Sequence, residues 1–170
     1  MSKKKLVLYQ SQQVDKSQGS TPSLDILPLE MLHVASLPDR DGYEVVILDA
    51  SLYAPEEAHR RAVEACQGAA VFGTTSILGY MVADGHLAAE KVRAAHPGIK
   101  IITGGWFPST LPEAFLATGI YDAVCVGQGE LTFHDFVRAV ECGADLEGVP
   151  GLALWRDGRV IYTAHREIVG

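Results

Sequence analysis

The feature that most constrains this chain is a set of five short apolar runs: Leu6 to Tyr9, Tyr43 to Leu48, Ala69 to Gly73, Ile99 to Thr103 and Ala123 to Val126. Each has the length of a strand, and none keeps the strict apolar/polar alternation of a sheet with one face in water. Strands of that kind are covered on both faces. The amphipathic stretches between them supply the cover: about Pro28 to Leu37, Pro55 to Cys66, Leu78 to Ala95 and Thr132 to Glu141, with a shorter one at Leu111 to Ala117. Pro28, Pro55 and Pro112 stand at first-turn positions, while Asp41-Gly42, Pro97-Gly98 and Cys142-Gly143 close helices. The expected fold is α/β, a flavodoxin/Rossmann-like three-layer sandwich with a five-stranded parallel sheet and helices on both faces. Asp157-Gly158, flanked by Gly151 to Trp155 and Arg159 to Thr163, adds a C-terminal β-hairpin.

At 170 residues and 48% hydrophobic, the chain can build such a core without staples. Its cysteines, Cys66, Cys125 and Cys142, are odd in number and widely spaced, so neither a disulfide framework nor a paired zinc site is expected, and a reducing cytoplasm is the simplest setting. No leader-like segment opens the chain and no apolar run approaches the roughly 18 residues of a membrane span. A net charge of −7 argues against a nucleic-acid partner, since the one basic cluster, Lys3 to Lys5, is terminal and suits solubility. The long polar stretch Gln10 to Leu27 is expected to be functional or disordered.

In an open parallel sheet, ligands bind beyond the carboxyl ends of the strands, where the strand order reverses. The loops there read Gln10-Ser11-Gln12-Gln13 after the first strand and Gly73-Thr74-Thr75-Ser76 after the third. The fourth strand leads into Gly104-Gly105-Trp106-Phe107-Pro108-Ser109-Thr110, and the fifth into Gly127-Gln128-Gly129-Glu130. Glycine lets a ligand approach the backbone, and hydroxyls or free N–H groups at a helix start bind phosphate or amide. Any one of these loops is explained by a tight turn and a cap. Three on one edge point to a site for a large polar ligand. Trp106 and Phe107 fit either buried anchors or an exposed apolar wall, and Glu130 reads first as a capping residue.

Familiar chemistries are missing. No G-x-G-x-x-G follows the first strand, Asp49 reads as a turn former, and neither G-x-x-x-x-G-K-[ST] nor G-x-S-x-G occurs. The histidines, His33, His59, His86, His96, His134 and His165, show no metal-ligand spacing and read as helix-surface or partly buried residues.

Taken together, these loops resemble the cobalamin-binding domain that precedes the barrel in cobalamin-dependent radical S-adenosylmethionine enzymes, a family that includes ring cyclases and methyltransferases acting on unactivated carbon. The likeness covers nearly the whole chain. It rests on Pro28 to Asp49, Gly73 to Ser76, Gly104-Gly105 with Pro108, Val126 to Glu130 followed by Thr132 and Phe133, and Val149 to Leu152. Gln128 departs from the glutamate usual in the fourth motif.

The resemblance implies a cobalamin cofactor whose corrin lies over the strand ends, with its nucleotide tail between strands near Thr75, Gly104-Gly105 and Gly127 to Gly129. Gln10, Ser11, Gly73, Thr74, Ser76, Trp106, Phe107, Gln128 and Glu130 complete the implied set. Related domains place D-x-H-x-x-G after the first strand for a cobalt-ligating histidine. This chain has Gln10 to Asp15 there, and Asp84-Gly85-His86 falls inside a helix, so no histidine ligand to cobalt is expected. The C-x-x-x-C-x-x-C of a [4Fe-4S] cluster is absent. The cluster, S-adenosylmethionine and catalysis are therefore expected in a separate radical barrel, with residues 1–150 binding cobalamin and 151–170 forming the hairpin and the start of a linker. Two other readings stay open: a docking module that has lost the cofactor, and a flavodoxin-like carrier of flavin mononucleotide, for which Ser17 to Thr21 would be the phosphate loop.

Overall fold

The computed structural model describes residues 4–15 and 27–167. Five parallel strands, β1 (Lys5–Gln10), β2 (Glu44–Asp49), β3 (Ala69–Thr75), β4 (Lys100–Gly104) and β5 (Ala123–Cys125), form the centre of the sheet. The hairpin strands β6 (Leu152–Arg156) and β7 (Arg159–Tyr162) pair antiparallel and extend it, giving seven strands in the order β2-β1-β3-β4-β5-β6-β7. The hairpin is thus part of the same sheet rather than a separate ribbon. Asp157 and Gly158 turn it with positive φ, the conformation that this dipeptide accommodates.

The helices are α1 (Leu29–Arg40), α2 (Pro55–Ala65), α3 (Tyr80–Ala95), α4 (Trp106–Thr110), α5 (Pro112–Leu116) and α6 (Glu130–Cys142). Pro55 and Pro112 start α2 and α5 as expected, and Gly143 closes α6 in the left-handed region. Two expectations change. The stretch after β4, read as a loop through Thr110, winds into α4 directly after Gly105. The strand β2, read as covered on both faces, is an edge strand with half-exposed side chains.

Side-chain alternation along the strands sends the core to two sides. Val7, Tyr9, Phe72, Ile101 and Val124 pack against α2, α3 and α5. Leu6, Leu8, Val71, Ile102, Ala123 and Cys125 pack against Met31 and Ala35 of α1 and Phe133, Phe136 and Val137 of α6. The strand order reverses at β1, which has β2 on one side and β3 on the other, so the crevice expected of this topology opens at the carboxyl ends of β1 and β3.

Candidate functional site

A cleft of about 720 Å³ lies at those strand ends, on the side of the sheet covered by α1 and α6. Leu8, Met31, Val34, Gly73, Ile102 and Phe133 form its apolar floor. Thr75, Gly104, Gly105, Ser109, Gly127, Gln128 and Glu130 surround them with backbone and polar groups. A cleft of this size, mostly apolar with a few convergent polar groups, is the ordinary form of a cofactor site. A second hollow of about 740 Å³ follows the exposed edge of β2, from Val46 to Leu52, away from the glycine loops.

Glycine allows a close approach at two points, with flexible side chains as the neighbours at one and fixed backbone at the other. At Gly73 a Cβ would stand 2.8 Å from Leu8 Cδ2 and 3.4 Å from Phe133 Cε2, so a side chain there would press into the floor. At Gly105, φ is +101° and a Cβ would fall 2.4 Å from the Ser76 carbonyl oxygen, against backbone that cannot swing away. The same approach lets Ser76 N–H donate to the Gly104 carbonyl at 3.0 Å, joining the loops after β3 and β4. Ser109 joins the next pair: its hydroxyl donates to the Cys125 carbonyl at 3.3 Å and accepts from Gly127 N–H at 3.2 Å. Thr74 and Thr103 share a buried hydroxyl bond of 2.9 Å between β3 and β4.

The structure gathers the expected loops. Gly73, Thr74, Thr75, Gly104, Gly105, Trp106, Gly127, Gln128, Gly129 and Glu130 all line the cleft. Trp106 is 80% exposed, which settles the sequence alternatives for it in favour of a wall rather than an anchor. Phe107 differs from it: half-exposed, it stacks edge-to-face on Phe115 at 5.9 Å. Ser76 and Ser11 are buried behind the rim, where Ser11 donates to the Thr75 carbonyl at 2.9 Å. Gly129, with no side chain to cap with, is the N-cap of α6, and Glu130 stands in the first turn as a cleft residue. Asp49 is the turn former expected, accepting from Ser51 N–H at 2.9 Å. Residues 17–21, the candidate flavin phosphate loop, and most of the stretch from Gln10 to Leu27 lie outside the described residues.

On the opposite side of the sheet is a polar cluster that the sequence did not single out. Asp84 of α3 is fully buried. Its Oδ2 accepts from Tyr9 Oη at 3.0 Å and Gln12 N–H at 2.8 Å, and its Oδ1 accepts from His59 Nε2 at 2.8 Å. Lys91 Nζ donates to His59 Nδ1 at 3.1 Å. A carboxylate only accepts and an ammonium only donates, so the imidazole between them carries its N–H on Nε2. Burial and the Asp84 carboxylate push the Tyr9 phenol far above its usual range. His59, read from sequence as a surface or partly buried residue, is therefore corrected to a buried one, 3% exposed, in a bonded network. Gln12 completes the clamp by donating from Nε2 to the Ala50 and Tyr53 carbonyls. Close packing here was the one available signal: Gly85 sits in mid-helix, where a Cβ would stand 2.6 Å from Ser11 Oγ.

Three other histidines lie in different places: His134 bonds Asp41 at 2.7 Å, His96 the Val63 carbonyl at 2.9 Å, and His33 lines the α1 wall of the cleft. Among the described residues, no group of three His, Cys, Asp or Glu side chains is placed to hold a metal ion, and no helix is long and apolar enough to cross a membrane.

Known proteins resemble this chain in sequence and in fold. An uncharacterized methyltransferase, PH0819, from Pyrococcus horikoshii is 28% identical over 100 residues, covering 58% of this chain and 22% of its own length. The radical S-adenosylmethionine methyltransferase TsrM from Kitasatospora setae, solved with cobalamin and a [4Fe-4S] cluster bound, superposes with a TM-score of 0.79 at 17% identity, over 99% of this chain and 30% of that one. The cobalamin-dependent radical enzyme OxsB, solved with aqua-cobalamin and S-adenosylmethionine, gives 0.77 at 16% identity, over 98% and 23%. The chain thus spans less than a third of each of these relatives. Residues 19–137 match the B12 binding domain family, and since they make up well over half of the sequence, this chain belongs to that family.

Proposed function

We propose that the chain holds cobalamin at the carboxyl edge of its sheet on behalf of a radical S-adenosylmethionine enzyme that transfers methyl groups or forms rings on unactivated carbon. The observation that carries this reading is the cleft. Its floor is apolar, its rim is backbone from three glycine loops, and Gly73 and Gly127 bring no side chain into it.

The residues fit the cofactor on a second count. Gln10, 6% exposed at the end of β1, has its Oε1 buried without a hydrogen-bond partner, an acceptor suited to an amide-bearing ligand. In this reading Gln10 and Trp106 stand beside the corrin, Ser11 supports the rim from behind through Thr75, and Phe107 seats α4 on Phe115. Thr75, Gly104, Gly105 and the Gly127 to Glu130 loop hold the nucleotide tail. When bound, cobalamin supplies a redox-active cobalt able to carry a methyl group. The chain's own part is to bind it, orient it and shield one face from water. No histidine is proposed as a cobalt ligand: the loop after β1 offers Gln10, Ser11 and Gln12, with Ser11 and the Gln12 backbone already committed to Thr75 and Asp84. The cluster and S-adenosylmethionine would belong to a radical barrel elsewhere in a longer protein, working in the cytoplasm.

Reconstitution tests this directly. The chain incubated with hydroxocobalamin and desalted should keep the cofactor's visible absorption in a one-to-one complex. A colourless protein would overturn the reading and favour a docking module that has lost its cofactor.

A further inference from the structure

Gln10, buried at the end of β1, stands beside Glu30, which lines the cleft. Gln10 follows Leu8 by two residues on β1, so its side chain emerges on the same side of the sheet, above the cleft floor to which Leu8 contributes. Its register partner on β3 is Thr75, another cleft residue. Gln10 Nε2 donates to Glu30 Oε1 at 3.2 Å, and Glu30, in the first turn of α1, lines the cleft.

The chemistry of the pair fixes its polarity. A carboxylate offers only acceptors, so the Gln10 amide must present its nitrogen to Glu30, which leaves Oε1 as an acceptor with nothing to accept from. A buried acceptor in that condition is costly unless a ligand supplies a donor. Gln12 Oε1 is also unpartnered, but Gln12 is held between the Ala50 and Tyr53 carbonyls, in the cluster on the other side of the sheet. The result is a carboxylate on the cleft wall with a buried amide oxygen beside it: two acceptors, one of them charged.

We propose that Gln10 and Glu30 form an acceptor pair that takes the N–H groups of a carboxamide arm of the corrinoid, so that the site distinguishes amidated corrinoids from their carboxylate counterparts. This rests on the cobalamin reading above. A carboxamide bridges the pair with its two N–H donors. A carboxylate at the same place brings no donor and sets a like charge against Glu30.

The test compares cobalamin with its three monocarboxylic acids, in each of which one propionamide arm is hydrolysed, by titrating each into the parent chain and into Glu30→Gln and following the visible spectrum. Glu30 is exposed, so the variant should keep the parent's far-ultraviolet circular dichroism. In the parent, at least one monoacid should bind roughly ten-fold more weakly than cobalamin, the scale of a charge-assisted hydrogen bond exchanged for a like-charge contact. In Glu30→Gln that gap should shrink to within about three-fold, because the new amide can donate to the carboxylate. Three monoacids that all match cobalamin in the parent, or a gap that persists in Glu30→Gln, would overturn the acceptor pair while leaving cobalamin binding in place. Failure of cobalamin itself to bind would overturn both.

Discussion

The two sides of the sheet use the same strands in opposite ways. Facing α2 and α3, the strand ends are filled: Tyr9 and Phe72 pack ring against ring at 6.1 Å, and Asp84 ties Tyr9, His59 and the loop after β1 into one buried network. Facing α1 and α6, the neighbouring positions are Leu8 and Gly73, and a cleft opens where bulk is missing. One residue of register separates the two outcomes, because adjacent strand residues point to opposite faces. The filled side anchors Gln12, just beyond the end of β1, while the open side keeps its cleft.

The largest effect should come from breaking the filled side. Asp84→Ala would leave His59, Tyr9 and the Gln12 N–H buried without their acceptor, and loss of one member of a buried charged network costs about 3–5 kcal/mol. Thermal or urea denaturation should show that drop, and Asp84→Asn, which keeps one acceptor oxygen, should lose less. A variant as stable as the parent would mean that the network does not support the fold.

Closing the open side should produce the reverse pattern. Gly73→Val places side-chain atoms against Leu8 and Phe133, an overpacking cost of about 1–3 kcal/mol. Its main consequence should be functional, with hydroxocobalamin retention lost while the chain remains folded. Retention equal to the parent's would show that the cleft is not the cofactor site.

A smaller effect lies at the far end of the open side, where His134 of α6 reaches Asp41 beyond α1. The hydrogen bond from His134 holds the Asp41 carboxyl below its usual range. A carboxylate depressed on folding stabilises above its ordinary pKa, and that stabilisation is lost as pH falls through the lower folded value. The melting temperature of Asp41→Asn should therefore lie slightly below the parent's at about pH 6, with the gap closing as the pH falls below the ordinary carboxylate range.

The thiols give the mildest contrast. Burial pushes Cys66, behind the filled side, up to about 12 and Cys125, beside the cleft, up to about 11, whereas Cys142 is exposed. Iodoacetamide at about pH 8 should alkylate Cys142 alone in the folded chain, as mass spectrometry would show. Rapid labelling of Cys125 would mean that the cleft breathes more than the filled side.

Local patterning made much of this legible in advance. Apolar runs located the strands, proline and glycine marked helix starts and ends, and the glycine loops indicated which edge would carry the site. The α4 helix was missed because Gly104-Gly105 and Pro108 read as turn residues, although Gly105 serves as the N-cap and Pro108 sits within the short helix. The edge position of β2 was missed because Val45 to Leu48 is as apolar as a central strand.

By itself the sequence determined the α/β class, the parallel strands and the loops that would meet at one rim, because hydrophobic period and turn chemistry are local properties. Only the tertiary structure decided that Tyr9, His59 and Asp84 join while Gln10 Oε1 stays unpartnered, and that the hairpin extends the sheet. Those outcomes depend on strand order and on which face each side chain takes, and they bring together residues as far apart as 75 positions in the chain.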